Sequence, residues 1–124
     1  YLQTSYAGRP VRLLLAKNPA GWSEALQMAQ PDSGLVVAVN ARAADGRDPS
    51  WLWDVPFEVL RGRHAVATGE RSRDVAVRLR YAGVEHVRVD DLAQAIRAAH
   101  GGGPVDVLAN YTAFQGYRKV VRDA

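Results

Sequence analysis

The ten residues from Asp45 to Asp54 combine three carboxylates, one arginine and two of the three tryptophans in the chain. Pro49 restricts Asp48 to an extended backbone. In an extended segment Trp51 and Trp53, which are two residues apart, would project to one face. A loop that presents acids and aromatic rings together is a candidate for binding or catalysis. The alternative is an ordinary surface turn whose tryptophans pack into the core.

Asp48 has two interpretations. In the structural one its carboxylate accepts backbone N–H bonds near Ser50, and Asp45 and Asp54 cap turns in the same way. In the functional one it orients a histidine, by holding the imidazole in one tautomer and stabilising the imidazolium. The chain's own histidines are far apart in the sequence and lack metal-ligand spacing: His64, His86 and His100. We therefore expect no metal site, and a histidine partner for Asp48 would lie on another protein.

Composition excludes several classes of protein. The 124 residues carry a net charge of +3, with the basic residues scattered among acids, so nucleic acid is not an expected partner. There is no cysteine, which excludes disulfides, a thiolate zinc site and a cysteine nucleophile supplied by this chain. No apolar run approaches the roughly 18 residues that a membrane-spanning helix needs.

Short apolar runs alternate along the chain with segments of helical periodicity. The runs predict five strands: Val11–Ala16, Leu35–Val39, Ala65–Ala67, a segment within Val84–Val89, and Val105–Ala109. Residues 1–10 are polar and are typical of a lead-in or linker. Because the first two runs are almost purely apolar, we expect a mainly parallel sheet of about five strands with helices on both faces, a three-layer Rossmann-like α/β domain.

Helical spacing covers four segments: Trp22–Ala29, Asp74–Tyr81, about 91–99, and Tyr111–Val121. Ser23 and Glu24 suit the start of the first helix, and Gly83 suits the end of the second. The three arginines of the second helix, Arg73, Arg78 and Arg80, are expected away from its apolar face. A short helical turn is expected after Pro56.

Sites in parallel sheets form at the carboxyl ends of strands. The residues that follow the predicted strands include Lys17 and Asn18, then Asp45, Arg47 and Asp48, then Arg71, and finally Asn110. Lys17 is either a surface lysine or a cation that meets a phosphate or carboxylate near a helix start. Because neither a Gly-x-Gly-x-x-Gly motif nor a phosphate loop is present, dinucleotide binding and phosphate-loop ATP binding are not expected.

Four motifs occur in order: Leu15–Gly21, Ala44–Asp54, Thr68–Arg71 and Asn110–Thr112. Together they resemble the C-terminal domain of the MurT family, the Mur-ligase-like subunits of lipid II isoglutaminyl synthase. The resemblance runs from about Val11 to the end of the chain. Asn18-Pro19 is also similar to the His-Asn-Pro segment of other Mur ligase C-terminal domains, with Lys17 in place of histidine. Pro49 occupies a variable place in the second motif and leaves Asp48 unaffected.

The resemblance implies part of a glutamine-hydrolysing carbon–nitrogen ligase. MurT uses ATP and Mg²⁺ to activate the α-carboxylate of D-glutamate in the lipid II stem peptide, and amidates it with ammonia that the glutaminase GatD releases. The implied location is the cytoplasm, at the inner face of the membrane. The family's ATP-binding elements sit mainly in a central domain, which in many members carries a zinc ribbon. Residues 1–10 would lead from that domain into the C-terminal domain, 11–124, which alone would be inactive and hold no cofactor.

The resemblance also implies residue roles. Asp48 matches the family's essential aspartate and would complete the Cys-His pair of GatD. The residues expected on the ATP or substrate side, or as motif matches, are Lys17, Asn18, Arg71 and Asn110; those expected at the GatD contact are Asp45, Arg47, Trp51 and Trp53. Two alternatives stay open: an amino-acid-adding Mur-type ligase domain that needs no glutaminase, and a pure interaction module whose Trp51/Trp53 loop is only a docking surface.

Overall fold

The computed structural model describes residues 2–123, which contain one six-stranded sheet. The strands are β1 Leu2–Tyr6, β2 Arg9–Leu15, β3 Gly34–Ala38, β4 His64–Thr68, β5 Glu85–Arg88 and β6 Val105–Ala109. Their spatial order is β1-β2-β6-β3-β4-β5. All neighbouring pairs are parallel except β1 and β2, which are antiparallel. The five strands expected from the apolar runs are thus all present, and β1 is an addition.

Helices cover both faces of the sheet. They are α1 Pro19–Met28, α2 Ser72–Ala82, α3 Leu92–Ala98 and α4 Tyr111–Asp123, with 3-10 helices at Ala43–Asp45, Pro49–Asp54 and Phe57–Leu60. Trp22 of α1 and Leu79 of α2 belong to one buried cluster, and Ile96 of α3 and Tyr117 of α4 belong to the other. The expected three-layer, Rossmann-like α/β fold is confirmed.

The core explains why β3 is central. Its five residues are all buried, so it reads as a continuous apolar run without alternation. Side chains such as Val37 point to the cluster of α1 and α2, while Val36 points to the cluster of α3 and α4. Burying one aliphatic side chain of this size stabilises the fold by about 1.5–3 kcal/mol.

The interpretation of residues 1–10 as a linker is wrong for the described part of that segment. Leu2–Tyr6 forms β1 and pairs with β2 through a two-residue turn, Ala7-Gly8, in which both residues have positive φ (52° and 78°). Arg9 fastens this hairpin to the domain, because its buried guanidinium donates to four backbone oxygens between Ile96 and Gly103. Whether a further domain precedes the chain stays a prediction.

Helix ends follow local capping chemistry. α1 begins earlier than Ser23 and Glu24 suggest: Asn18 is its cap, accepting a hydrogen bond from Gly21 N at 2.9 Å, and Pro19 occupies the first helical position. Gly83 ends α2 in the left-handed conformation, with φ 77°, as expected. Asp91 caps α3 by accepting from Ala93 N.

Candidate functional site

A cavity of about 240 Å³ opens at the carboxyl edge of the sheet. The chain leaves β2 for α1 on one face, whereas it leaves the neighbouring β6 for α4 on the other face. A crevice forms where connections diverge in this way, and ligands of open α/β sheets bind there. The lining residues come from the loops after β2, β3 and β6: Lys17, Ala44, Asp45, Trp51, Asn110 and Tyr111. Four candidate residues of the sequence analysis, Lys17, Asp45, Trp51 and Asn110, thus line one cavity, while the roles expected for them stay predictions.

Lys17 and Asn18 differ in what they offer a ligand. Lys17 is exposed, lines the cavity, and has no hydrogen-bond or ion-pair partner among residues 2–123. The side-chain oxygen of Asn18 is instead engaged as the cap of α1. Lys17 is therefore the group that can meet an anion here, next to a helix N-terminus that also favours negative charge.

Asp45 holds the loop after β3 against α4. Its Oδ1 accepts from the Thr112 backbone N–H at 2.9 Å, and its Oδ2 accepts from the Thr112 hydroxyl at 2.5 Å and from Arg42 N at 3.2 Å. Both carboxylate oxygens are thus used inside the domain. This geometry gives Asp45 a positioning role, and makes Thr112 a site residue that the sequence motif contained but did not single out.

Asn110 joins the ends of two strands. It is 4% exposed, its Oδ1 accepts from Asn40 N at 3.1 Å, and its Nδ2 donates to Asn40 O at 2.6 Å. The Asn40 side chain in turn accepts a hydrogen bond from Glu70 N at 2.9 Å, so Asn40 links the end of β3 to the loop after β4. Asn40 was not a candidate from the sequence; an asparagine directly after a buried strand was the available signal.

Asp48 is exposed and caps the 3-10 helix Pro49–Asp54. Its backbone is extended, as Pro49 requires, with φ −92° and ψ 115°. Its Oδ1 accepts from Ser50 N at 2.9 Å, whereas Oδ2 has no donor among the described residues. Arg47 beside it is exposed and likewise unpaired within that part of the chain. The Asp48 carboxylate is therefore held by a hydrogen bond at one oxygen, and its other oxygen is open to a partner.

The two tryptophans do not share a face, because Trp51 and Trp53 lie in a 3-10 helix and not in an extended segment. With about three residues per turn, residues two apart point in different directions. Trp51 is half-buried, lines the cavity and stacks on Trp22, with ring centroids 5.6 Å apart. Trp53 is 51% exposed and meets Tyr81 edge-on at 5.4 Å.

Arg78 is buried, so the expectation that it lies away from the apolar face of α2 is wrong. It is 4% exposed and donates to Leu52 O at 2.9 Å and Val55 O at 2.5 Å. It also donates to both carboxylate oxygens of Glu58 at 3.0 Å, and this hydrogen bonding is the main reason why the pKa of Glu58 is lowered. Arg78 lies three residues after Val75, on the buried side, which was the available sequence signal.

Arg71 lies apart from the cavity. It precedes α2, its backbone N–H donates to Val39 O at 2.9 Å, and its guanidinium pairs with Asp74 at 3.0 Å. The described structure therefore does not bring Arg71 to the Lys17 side of the site.

The histidines lie at the other end of the sheet. His64 begins β4, His86 lies at the start of β5 and His100 precedes β6, so all three are at the amino edge. The rings of His64 and His100, distant in sequence, stack at a centroid separation of 3.6 Å. Burial, and then the charge of His100, lower the pKa of His64. Within residues 2–123, no group of three or more histidine, aspartate or glutamate side chains could hold a metal ion.

The fold and the edge cavity define an α/β domain of the Rossmann-like class with its site at a topological switch point. The sequence model of the MurT ligase C-terminal family matches residues 15–114, and the chain belongs to that family. Among the described residues no helix has the length and apolarity to cross a bilayer.

Curated relatives carry the same family name. The subunit MurT of lipid II isoglutaminyl synthase (glutamine-hydrolyzing) from Staphylococcus aureus, strains COL and N315, is 40% identical over 57% of this chain and 18% of the relative. The subunit MurT of that synthase from Streptococcus pneumoniae strain R6 is 32% identical over 88% of this chain and 27% of the relative. The chain thus spans about a fifth to a quarter of the relatives' length.

Proposed function

We propose that this chain is the C-terminal domain of the ligase subunit of a lipid II isoglutaminyl synthase. That subunit uses ATP and Mg²⁺ to amidate the α-carboxylate of D-glutamate in lipid II, at the inner face of the cytoplasmic membrane. The ammonia comes from a GatD-type glutaminase bound to it. Support comes from membership of the MurT C-terminal family and from the names of the relatives.

The observation that carries the proposal is the half-satisfied carboxylate of Asp48. One oxygen is fixed by Ser50 N, while the other is open on an exposed loop. The three histidines of this chain lie at the opposite edge of the sheet, so none of them is its partner. Such a carboxylate suits a histidine of another protein, whose N–H it accepts and whose imidazolium it stabilises. In this role Asp48 completes the Cys-His pair of the glutaminase.

Lys17 serves the ligase reaction. Its unpaired ammonium lines the edge cavity beside the start of α1, a setting that fits an anionic group of ATP or of the phosphorylated substrate. Asp45, the acid of this cavity, already accepts from Thr112 and Arg42. These residues therefore fit a phosphate better than a Mg²⁺ ion, and we assign the Mg²⁺ ligands to other parts of the ligase subunit.

The test compares two nitrogen sources for the complex of GatD and the ligase subunit that carries this domain. Asp48→Asn is expected to lower amidation of lipid II with glutamine at least 100-fold, because the histidine loses its orienting carboxylate. Amidation with ammonium chloride bypasses the glutaminase and is expected to persist. Asp54→Asn is the matched control, since Asp54 is an exposed acid of the same loop.

The outcomes separate the alternatives. Wild-type glutamine-dependent activity of Asp48→Asn would refute the role of Asp48. Incorporation of an amino acid by the ligase subunit without GatD would instead identify an amino-acid-adding Mur-type ligase. Intact catalysis of Asp48→Asn together with loss of the complex in Trp53→Ala would identify a pure docking module.

A further inference from the structure

We propose that a second cavity at the carboxyl edge of the sheet, here called the Thr68 pocket, binds an apolar residue of the lipid II stem peptide close to the D-glutamate that is amidated. The inference rests on the proposed function and adds to it a site that recognises the substrate. The Thr68 pocket has a volume of about 190 Å³. Its lining includes Thr68 at the end of β4, Leu92 at the start of α3 and Gly116 in the middle of α4.

The central observation concerns Thr68, the last residue of β4. It is 0% exposed, and its hydroxyl has no hydrogen-bond partner among residues 2–123. Side chains alternate along a strand, so Thr68 points to the same face as Val66, which belongs to the cluster of α3 and α4. A buried hydroxyl without a partner destabilises a fold, and valine would fill the same space without this cost. The hydroxyl therefore indicates a ligand that forms a hydrogen bond with it.

Small residues form the helical wall of the Thr68 pocket. Ala113, Gly116 and Val120 line it, and because they are three and four residues apart they share one face of α4. A Cβ at Gly116 would meet no atom within 4 Å. Glycine destabilises the interior of a helix relative to alanine, so packing within the described residues gives no reason for a glycine here. Its effect is to keep the pocket wide.

The lining of the Thr68 pocket fits an uncharged peptide residue. Leu92 and the small residues of α4 present apolar surface, whereas Thr68 and the side-chain amide of Asn40 present hydrogen-bonding groups. The charged lining residue, Asp90, is already paired with the guanidinium of Arg88, so the lining offers no free cation to a phosphate. An apolar side chain flanked by peptide N–H and C=O groups matches this combination.

The position of the Thr68 pocket indicates which peptide it binds. Asn110 lines the edge cavity and Asn40 lines the Thr68 pocket, and the two residues are joined by hydrogen bonds of 3.1 and 2.6 Å. The two cavities therefore share a wall. An extended peptide advances about 3.3 Å per residue, so a few residues span neighbouring cavities. When the phosphorylated D-glutamate lies beside Lys17, nearby residues of the same stem peptide reach the Thr68 pocket.

The test measures amidation of lipid II, with ammonium chloride as the nitrogen source, by the complex of GatD and the ligase subunit. Gly116→Leu fills the pocket and is expected to raise the KM for lipid II at least tenfold, with the KM for ATP within twofold of wild type. Because leucine favours a helix more than glycine does, the melting temperature is not expected to fall. Ala98→Leu, which places a leucine at an exposed position of α3 outside the pocket lining, is the matched control.

Thr68→Val removes the hydroxyl at nearly constant shape. It is expected to raise the KM for lipid II about fivefold and also to raise the melting temperature, because no unpaired polar group stays buried. Thr68→Ser keeps the hydroxyl and is expected to have a KM within twofold of wild type. A threonine with only a structural role would change the melting temperature and leave the KM for lipid II at the wild-type value, which would contradict the inference.

A soluble stem peptide without the lipid distinguishes the peptide from the rest of lipid II. We expect it to compete with lipid II and to inhibit Gly116→Leu at least tenfold more weakly than the wild type. Equal inhibition of the two, or a rise in the KM for ATP alone, would overturn the Thr68 pocket. If Asp48→Asn still lost glutamine-dependent amidation in that case, the proposed function would stand. Failure of the wild-type complex to amidate lipid II would overturn both.

Discussion

Asp45 and Thr112 are joined by two hydrogen bonds, which run from the backbone N–H and the hydroxyl of Thr112 to the two oxygens of the Asp45 carboxylate. The pair ties the loop after β3 to the first turn of α4. Asp48 lies three residues further along that loop. The open carboxylate of Asp48 is therefore held relative to the sheet by a contact outside its own turn.

Thr112→Val is expected to release this loop, because it removes the hydroxyl donor at nearly constant volume. We expect the kcat of glutamine hydrolysis by the complex with GatD to fall about tenfold, with the KM for glutamine nearly unchanged, since in its proposed role Asp48 acts only after glutamine is bound. Thr112→Ser retains the hydroxyl and should restore the rate. A general loss of stability without this rescue would contradict the positioning role.

Arg78→Lys is expected to destabilise the domain by about 2 kcal/mol or more, because an ammonium cannot donate simultaneously to two backbone oxygens and a carboxylate. Urea unfolding monitored by circular dichroism gives the free energy of unfolding. The control is Arg80→Lys on the exposed face of α2, which should lie within about 0.5 kcal/mol of wild type. Equal stabilities of the two variants would show that the hydrogen bonds of Arg78 to Leu52, Val55 and Glu58 do not stabilise the domain.

Gly69→Ala is expected to disrupt the loop after β4. Gly69 has φ 94°, and a Cβ there would lie 2.4 Å from Val39 O. Gly46 also has positive φ, 77°, but a Cβ there would meet open space. Gly46→Ala should therefore lower the free energy of unfolding by only about 1–2 kcal/mol, the cost of a left-handed backbone at a residue with a Cβ. Gly69→Ala should lower it clearly more, because its Cβ would also clash with Val39 O. Comparable unfolding free energies would argue against the close contact.

The stability of the domain is expected to fall as the pH drops below about 6.5. The pKa of His64 is lowered in the folded state by burial and by the nearby His100, so below 6.5 the unfolded chain binds a proton that the folded chain resists. This loss continues until the pH reaches the lowered pKa of His64. Urea unfolding between pH 7.5 and 5 measures how steeply the free energy of unfolding changes with pH. His64→Gln should flatten it, whereas an unchanged slope in that variant would exclude His64 as its source.

The sequence predicted the layered fold because its signals are local. The short apolar runs at Val11–Ala16 and Leu35–Val39 are typical of buried strands between helices, and Gly83 and Asp91 mark helix ends by their own chemistry. The strand β1 was missed because its turn uses Ala7 at a positive φ, where asparagine or glycine is the usual signal. Its segment is also polar, which matches an edge strand as well as a linker.

The sequence indicated the edge of the sheet where part of the candidate site lies, but not the contacts within it. Lys17, Asp45 and Asn110 were expected at the carboxyl edge of the sheet and do line one cavity there, and Trp51, expected at the contact with GatD, lines the same cavity. Packing between distant segments decides two further features of the site. The Asn110 amide forms hydrogen bonds with the Asn40 backbone, and Trp51 turns inward while Trp53 turns outward. The stack of His64 on His100 likewise joins residues that no local pattern relates.

The most direct test of the central claim is the rate of glutamate release by GatD in complex with the ligase subunit that carries Asp48→Asn. The account predicts that this variant binds GatD with the wild-type Kd and releases glutamate at least 100-fold more slowly than the wild-type complex. Glutamate release at the wild-type rate by the assembled Asp48→Asn complex would contradict it.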